Sequence, residues 1–266
     1  MKNILSEIIE HKRIEVAEKK ELHPVKLLER SIYFESKPVS LKRYLARPDK
    51  VGIIAEIKRR SPSKGDINKY ISVEHLSLGY MQAGASALSI LTDTKFFGGK
   101  NEDLSIGRKF NFCPILRKDF MVDQYQVLEA KSIGADAILL IAAAISPAQT
   151  RELATLARSL GLEVLLEVHN AQEIESHLSD EIDLVGVNNR DLTTFSVSTK
   201  TSEQLAEKIP SHLVKITESG LNDAETIVRL KQLGYQGFLI GEAFMKTAKP
   251  EAACEKLVQQ VKALQE

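Results

Sequence analysis

Short, continuous apolar runs alternate along the chain with stretches of helical periodicity. Eight runs read as strands: Val51–Ile57, Ala87–Leu91, Pro114–Leu116, Ala137–Ile141, Val164–Val168, Leu184–Val187, Leu213–Ile216 and Phe238–Ile240. Strands buried on both faces look like this, because neither side chain direction meets water. Between them Val73–Ala83, Gln124–Ile133, Pro147–Leu160, Ala171–Leu178, Glu203–Ile209 and Asp223–Leu233 read as helices, with Glu102–Arg108 weaker and Pro250–Leu264 after the last strand. Ser146-Pro147 is a helix start, and Gly134, Gly161 and Gly234 stand where a left-handed helix end wants glycine. Eight strand–helix alternations imply a parallel sheet with helical crossovers. An open doubly wound sheet competes, but eight units in 266 residues favour a closed α/β barrel, (β/α)8, whose ordinary length is roughly 250.

Residues 1–48 stand outside this alternation. Ile4, Ile8, Ile9, Ile14 and Val16 lie in a charged helical stretch ending near Lys20, and Pro24–Arg30 is a second short helix. These helices form an N-terminal helical extension that either simply packs on the barrel or covers one barrel mouth, and the pattern favours packing. No linker interrupts the chain, so 1–266 is read as a single barrel domain.

Composition narrows the function. Lysine plus arginine (36) balances aspartate plus glutamate (36), so the formal net charge is zero. That removes the electrostatic footprint of a general nucleic-acid binder. No apolar run approaches the ~18 residues that span a bilayer; the longest, Ala135–Ile145, is broken by Asp136. The N-terminus is charged throughout and lacks the apolar core of a signal peptide. Cys113 and Cys254 have no metal spacing and read as reduced thiols. The histidines are scattered, so no metal is expected. A cytoplasmic location follows as an expectation; oligomeric state is left open.

Chemistry in such barrels gathers at the C-terminal strand ends. In the first, Glu56 and Lys58 share a face that Ala55 and Ile57 do not, so the charged pair can turn inward as an ion pair or for a ligand. Lys118 ends the third strand and has the parity of Leu116; two inward lysines would repel, which lowers the pKa of one, and a lowered lysine pKa suits a general acid. Phe120 is a packing residue or a wall for an aromatic substrate. Glu167 interrupts the fifth apolar run and can balance Lys118 or serve as its partner base. Asn188 and Arg190 follow the sixth strand, as turn residues or as ligands for a polar substrate. His169 has no partner at ligand spacing and reads as structural. Glu218-Ser219-Gly220 and Gly241-Glu242 close the seventh and eighth strands, where glycine lets backbone N–H groups approach a phosphate. Neither turn is a Walker loop or a dinucleotide fingerprint, so neither ATP nor NAD is implied.

Seven segments in order, each after an expected strand, resemble the indole-3-glycerol-phosphate synthase family. They are Ile54–Gly65, Leu88–Asp93 with Phe96–Gly99, Leu116–Phe120, Leu165–His169, Val187–Leu192, Glu218–Gly220 and Ile240–Glu242. The resemblance implies a (β/α)8 barrel whose N-terminal helical extension, residues 1–48, lies over the barrel mouth and partly covers the substrate site, acting on 1-(2-carboxyphenylamino)-1-deoxyribulose 5-phosphate, a small phosphorylated substrate, without cofactor or metal, nucleic acid or membrane. It implies Lys118 as general acid on the ribulose carbonyl and Glu167 as general base in the later dehydration. Lys58 would meet the anthranilate carboxylate with a share of the acid duty. Glu56, Asn188 and Glu218 would line the polar centre. Ser61, Arg190, Ser219, Gly220, Gly241 and the Glu242 N–H would hold the phosphate, with Phe97 and Phe120 on the aromatic part. The alternatives are another phosphosugar barrel, such as phosphoribosylanthranilate isomerase, or a barrel that binds a phospholigand without turnover.

Overall fold

The computed structural model describes residues 4–265; residues 1–3 of the expected extension and residue 266 lie outside the described residues. Eight strands close into a parallel barrel in chain order: β1 (Ile53–Ile57), β2 (Ala87–Leu91), β3 (Ile115–Lys118), β4 (Ala137–Ile141), β5 (Glu163–Val168), β6 (Leu184–Asn188), β7 (Val214–Glu218) and β8 (Tyr235–Ile240). Every expected strand forms, and the open sheet is excluded by the β1–β8 pairing that completes the ring. The crossovers are α4 to α10, after the long N-terminal helix α1 (Ile4–Leu22) and the short helices α2 (Val25–Leu28) and α3 (Leu41–Leu45). They are α4 (Val73–Gln82), α5 (Asn101–Phe110), α6 (Gln124–Ser132), α7 (Pro147–Ser159), α8 (Ala171–His177), α9 (Lys200–Leu205) and α10 (Ala224–Gln232); α11 (Glu242–Met245) and α12 (Pro250–Ala263) follow β8. Ser72, Asp123, Ser146, Asn170 and Asp223 each cap a helix by accepting a backbone N–H.

Strand alternation sorts the side chains into two shells. Ile53, Ala55, Ile57, Ile115, Val164 and Val185 point outward into the layer beneath the helices. Ile54, Leu116, Leu139, Leu165, Ile216 and Leu239 fill the barrel interior. The charged residues of the same inward rows come one step later, above this apolar filling, so the barrel has a dry body and a polar mouth.

The N-terminal segment reaches both ends of the barrel. At the mouth α1 buries Leu5, Ile9 and Val16 against Val122 and Tyr125, with Phe120 alongside. The chain then descends along α6: the Tyr125 hydroxyl donates to the Lys19 and His23 carbonyls, Ser31 Oγ to the Ser132 carbonyl, and Lys131 Nζ to the Ser36 carbonyl. At the opposite end α3 inserts Leu41 and Leu45 into the interior cluster, as a floor. Asp136 accepts the Val39 N–H, and Glu163 accepts the Ser40 hydroxyl and the Lys42 N–H. Cys113 and Cys254 are buried free thiols. No helix among the described residues is long and apolar enough to cross a membrane.

Candidate active site

A cavity of about 450 Å³ opens at the C-terminal strand ends, and every site residue singled out in the sequence lines it. Its centre is charged because β1, β3, β5 and β7 each end with an ionisable residue on the inward row. Lys118 Nζ lies 3.5 Å from Glu167 Oε2 and 3.3 Å from Glu218 Oε2. Lys58 Nζ lies 2.6 Å from Glu56 Oε1. Burial opposes the charge on Lys118, but the carboxylates of Glu218, Glu167 and Glu56 together outweigh it and hold the ammonium well above the ordinary lysine range. The expectation of a lysine pKa lowered by mutual repulsion is therefore corrected at Lys118. Lys58 is taken up by Glu56, and three carboxylates rather than a second cation face Lys118.

Glu167 and Glu218 share a hydrogen bond and compete for the same lysine. Burial and the neighbouring Glu167 push Glu218 up to about 8. Burial pushes Glu167 the same way, but Lys118, His169 and the bonds from Glu218 and Asn188 prevail, so it stays below the usual carboxylate range. Two adjacent carboxyls with one proton between them are the outcome expected when like charges cannot both ionise. Asn188 fixes the arrangement: its Nδ2 donates to Glu167 Oε1 at 3.1 Å, while its Oδ1 accepts the Ser219 hydroxyl and the Arg190 N–H, each at 3.0 Å. Glu56 is held down by Lys58 and Lys118 against the opposing effect of burial.

One side of the cavity is built from the turns after β7 and β8. Ser219 (φ 68°) and Gly220 (φ 77°) are consecutive left-handed residues, an uncommon conformation for serine. Gly241 is glycine for another reason: a Cβ there would lie 2.2 Å from Glu56 Oε1. Arg190 comes to 3.6 Å and Lys64 to 3.9 Å from the Glu242 carboxylate, which thus turns to two cations while its backbone starts α11. Lys64, absent from the sequence-based set, joins through a hairpin pairing Arg60–Ser61 with Gly65–Asp66.

The other side is apolar. The Phe97 and Phe120 rings stand 5.7 Å apart, tilted by 38°. Asp93 anchors the Phe97 loop by accepting the Phe96 and Phe97 N–H groups, and Asp119 accepts the Phe120 N–H. Lys12 of α1 reaches both: its Nζ lies 2.9 Å from Asp93 and 3.1 Å from Asp119, fully buried. Leu5 and Ile8 of the same helix complete the wall. Sequence reasoning missed Lys12; a lysine among isoleucines on the apolar stripe was the available signal. Among the described residues no group of His, Cys, Asp and Glu is arranged to hold a metal ion.

A (β/α)8 barrel whose mouth gathers two lysines, three buried glutamates and two glycine turns is an enzyme scaffold that carries the groups acid–base chemistry needs. The family model described as indole-3-glycerol phosphate synthase matches residues 5–257. The chain belongs to this indole-3-glycerol phosphate synthase family. It is 50 % identical over 250 residues to the protein of that name from Bacteroides thetaiotaomicron, covering 94 % of this chain and 95 % of that one. The Dechloromonas aromatica protein of the same name is 41 % identical over 260 residues, covering 97 % and 99 %. Among solved structures, a tryptophan synthase alpha-subunit from Pyrococcus furiosus aligns with a TM-score of 0.61 at 15 % identity, over 81 % of this chain and 99 % of that one. KGPDC from Streptococcus mutans gives 0.61 at 11 %, with the same coverage. At such identities the two structures share the fold alone.

Proposed function

We propose that the chain catalyses indole-3-glycerol phosphate synthesis, closing the ring of 1-(2-carboxyphenylamino)-1-deoxyribulose 5-phosphate with loss of carbon dioxide and water, in the cytoplasm. Family membership supports the activity. The observation that carries the mechanism is Lys118 Nζ placed between Glu167 and Glu218.

Ring closure makes a carbonyl carbon electrophilic and turns its oxygen into an alkoxide. A buried ammonium beside that oxygen stabilises the growing charge. Because an alkoxide is far more basic than an amine, the proton moves downhill even from a strongly held lysine. Lys118 therefore stabilises first and protonates as the carbon–carbon bond completes. Lys58 meets the substrate carboxylate, and its loss as carbon dioxide restores the electron pair that rebuilds the aromatic system. Dehydration then needs a base for the departing proton and an acid for the leaving hydroxyl. Glu167, held ionised, serves as the base; Lys118 has already given up its proton, so Lys58, released when the carboxylate leaves, supplies the acid. Arg190, Lys64, Ser61 and the Ser219-Gly220 and Gly241-Glu242 turns receive the phosphate, and Phe97 with Phe120 the aromatic ring. No step needs an oxidant, a reductant or a group carrier.

The test is direct. Purified chain incubated with the carboxyphenylamino substrate should develop indole fluorescence and release one carbon dioxide per product. Absence of both from folded protein would overturn the proposal.

A further inference from the structure

The inward row of β5 continues past Glu167. Two residues on, His169 presents its ring to the same side: Nε2 lies 3.6 Å from Glu167 Oε1, and Nδ1 lies 3.3 Å from Glu173 Oε2. Nε2 is buried and has no hydrogen-bond partner among the described residues. Glu173, in the first turn of α8, is itself held in place. The His169 N–H donates to Oε2 at 2.7 Å and the Asn170 amide to Oε1 at 2.9 Å. The Glu173 side chain is 18 % exposed, against 5 % for Glu167. One imidazole thus stands between a carboxylate sealed in the cavity and a carboxylate that meets water.

We propose that His169 and Glu173 form a proton relay that returns Glu167 to its anionic state after each turnover. The proposal rests on Glu167 being the base of the reaction above. A base that has taken a proton must lose it before the next cycle. The proton on Glu167 Oε1 passes to Nε2 of the neutral ring, while the ring releases its Nδ1 proton to Glu173 Oε2 and thence to water. Net charge is unchanged and no co-reactant enters. Imidazole suits this step because one nitrogen can accept as the other donates. The 3.6 Å gap is a few tenths beyond hydrogen-bond length, and catalytic bonds of this kind tighten when substrate is bound.

Other charges bear on the two groups. Lys118 and Glu218 face Glu167 from β3 and β7, Glu56 from β1, and Asp191 approaches His169 from the loop after β6. Burial opposes the imidazolium, but the bond to Glu173 and the charge on Glu167 raise the ring above the usual histidine range. That makes the neutral ring a better acceptor for the Glu167 proton. His169 touches no reacting atom and is a positioning residue in this scheme, not a catalytic one.

The experiment compares His169→Asn and Glu173→Gln with the parent by steady-state kinetics across pH and imidazole buffer concentration. Glutamine at 173 keeps an oxygen for the His169 N–H, so it tests the relay without disturbing the turn. Expected for His169→Asn is a fall in kcat of about ten- to a hundredfold, at or below the 10²–10⁴ typical of a direct acid or base. KM stays at the parental value, the acidic limb of kcat moves to higher pH, and added imidazole restores the rate. Glu173→Gln should move each in the same direction, less far. Parental kcat with an unmoved acidic limb in both folded variants would overturn the relay. So would a loss that buffer does not restore. If Glu167→Gln itself retained parental kcat, the underlying assignment of the base would fall, a result separable from failure of the relay alone.

Discussion

Replacing Lys12 with methionine should loosen α1 from the mouth rather than unfold the barrel. Methionine keeps the unbranched stem but removes the charge. The ammonium is fully buried, within 3.1 Å of two carboxylates that are themselves buried, Asp93 and Asp119. Removing one partner of a buried pair costs about 3–5 kcal/mol, because the charge left behind is uncompensated. Here both carboxylates retain other help. Asp119 keeps Arg117 at 3.2 Å and the Thr92 hydroxyl at 2.6 Å, and Asp93 keeps two backbone N–H groups. The lower end, about 3 kcal/mol, is therefore expected, a factor of roughly 10² in the docking equilibrium of the helix. Since Leu5 and Ile8 line the cavity, undocking should appear as a raised KM and faster tryptic cleavage within 10–22, with the barrel's urea midpoint moving less. Adding Asp93→Asn removes the orphaned charge and should recover part of the loss in a double-mutant cycle. A Lys12→Met protein with parental KM and parental protease resistance would refute the reasoning, because it would mean the buried ion pair is not what holds the helix.

Lys118→Ala should lower kcat by at least about 10³-fold, combining lost proton transfer with lost charge stabilisation; Glu167→Gln should instead accumulate a decarboxylated, still hydrated intermediate in a single turnover read by carbon dioxide release against indole fluorescence. Gly241→Ala should lower kcat and not merely raise KM, because its Cβ must displace Glu56 and with it Lys58; a pure KM effect would mean that this glycine serves only a bound anion. Asp119 is held down to about 2 by Lys12 and Arg117 against the opposing effect of burial. Its depressed pKa stabilises the fold fully above the ordinary aspartate range near 4, and that contribution is lost as pH falls through about 2. Asp119→Asn should accordingly flatten the acid limb of a urea-midpoint profile. The hairpin loop from Ser61 to Asp66, at the cavity rim, should gain hydrogen-exchange protection when a substrate analogue binds.

The barrel was legible because its eight strands are apolar runs of ordinary length, and inward parity could be counted within each. That parity brought Glu56, Lys58 and Lys118 to the mouth correctly. It could not give the sign of the Lys118 shift, since the deciding carboxylates come from β1, β5 and β7, far apart in sequence. His169 was read as structural because its partners are split between the strand's own continuation and the next helix. The floor helix α3 and the starter helix α11 were missed for a simpler reason. Five and four residues complete little more than one turn, too few for a 3.6-residue period to register, and neither is preceded by a proline as the equally short α2 is by Pro24.

The strip of chain that caps the mouth and plugs the floor has a consequence for the order of assembly. Among its polar fastenings are those to Asp123, Asp136 and Glu163, residues 97 to 123 positions further along the sequence. Contacts of such long sequence separation form late, because chain must be closed into a large loop before any of them rewards the closure. Many of the strip's anchors therefore come into being only once β4, β5 and α6 stand in place, and it joins as a clasp on a nearly finished barrel. One late docking event then seals both ends together: the dry floor and the substrate mouth come into being in the same step.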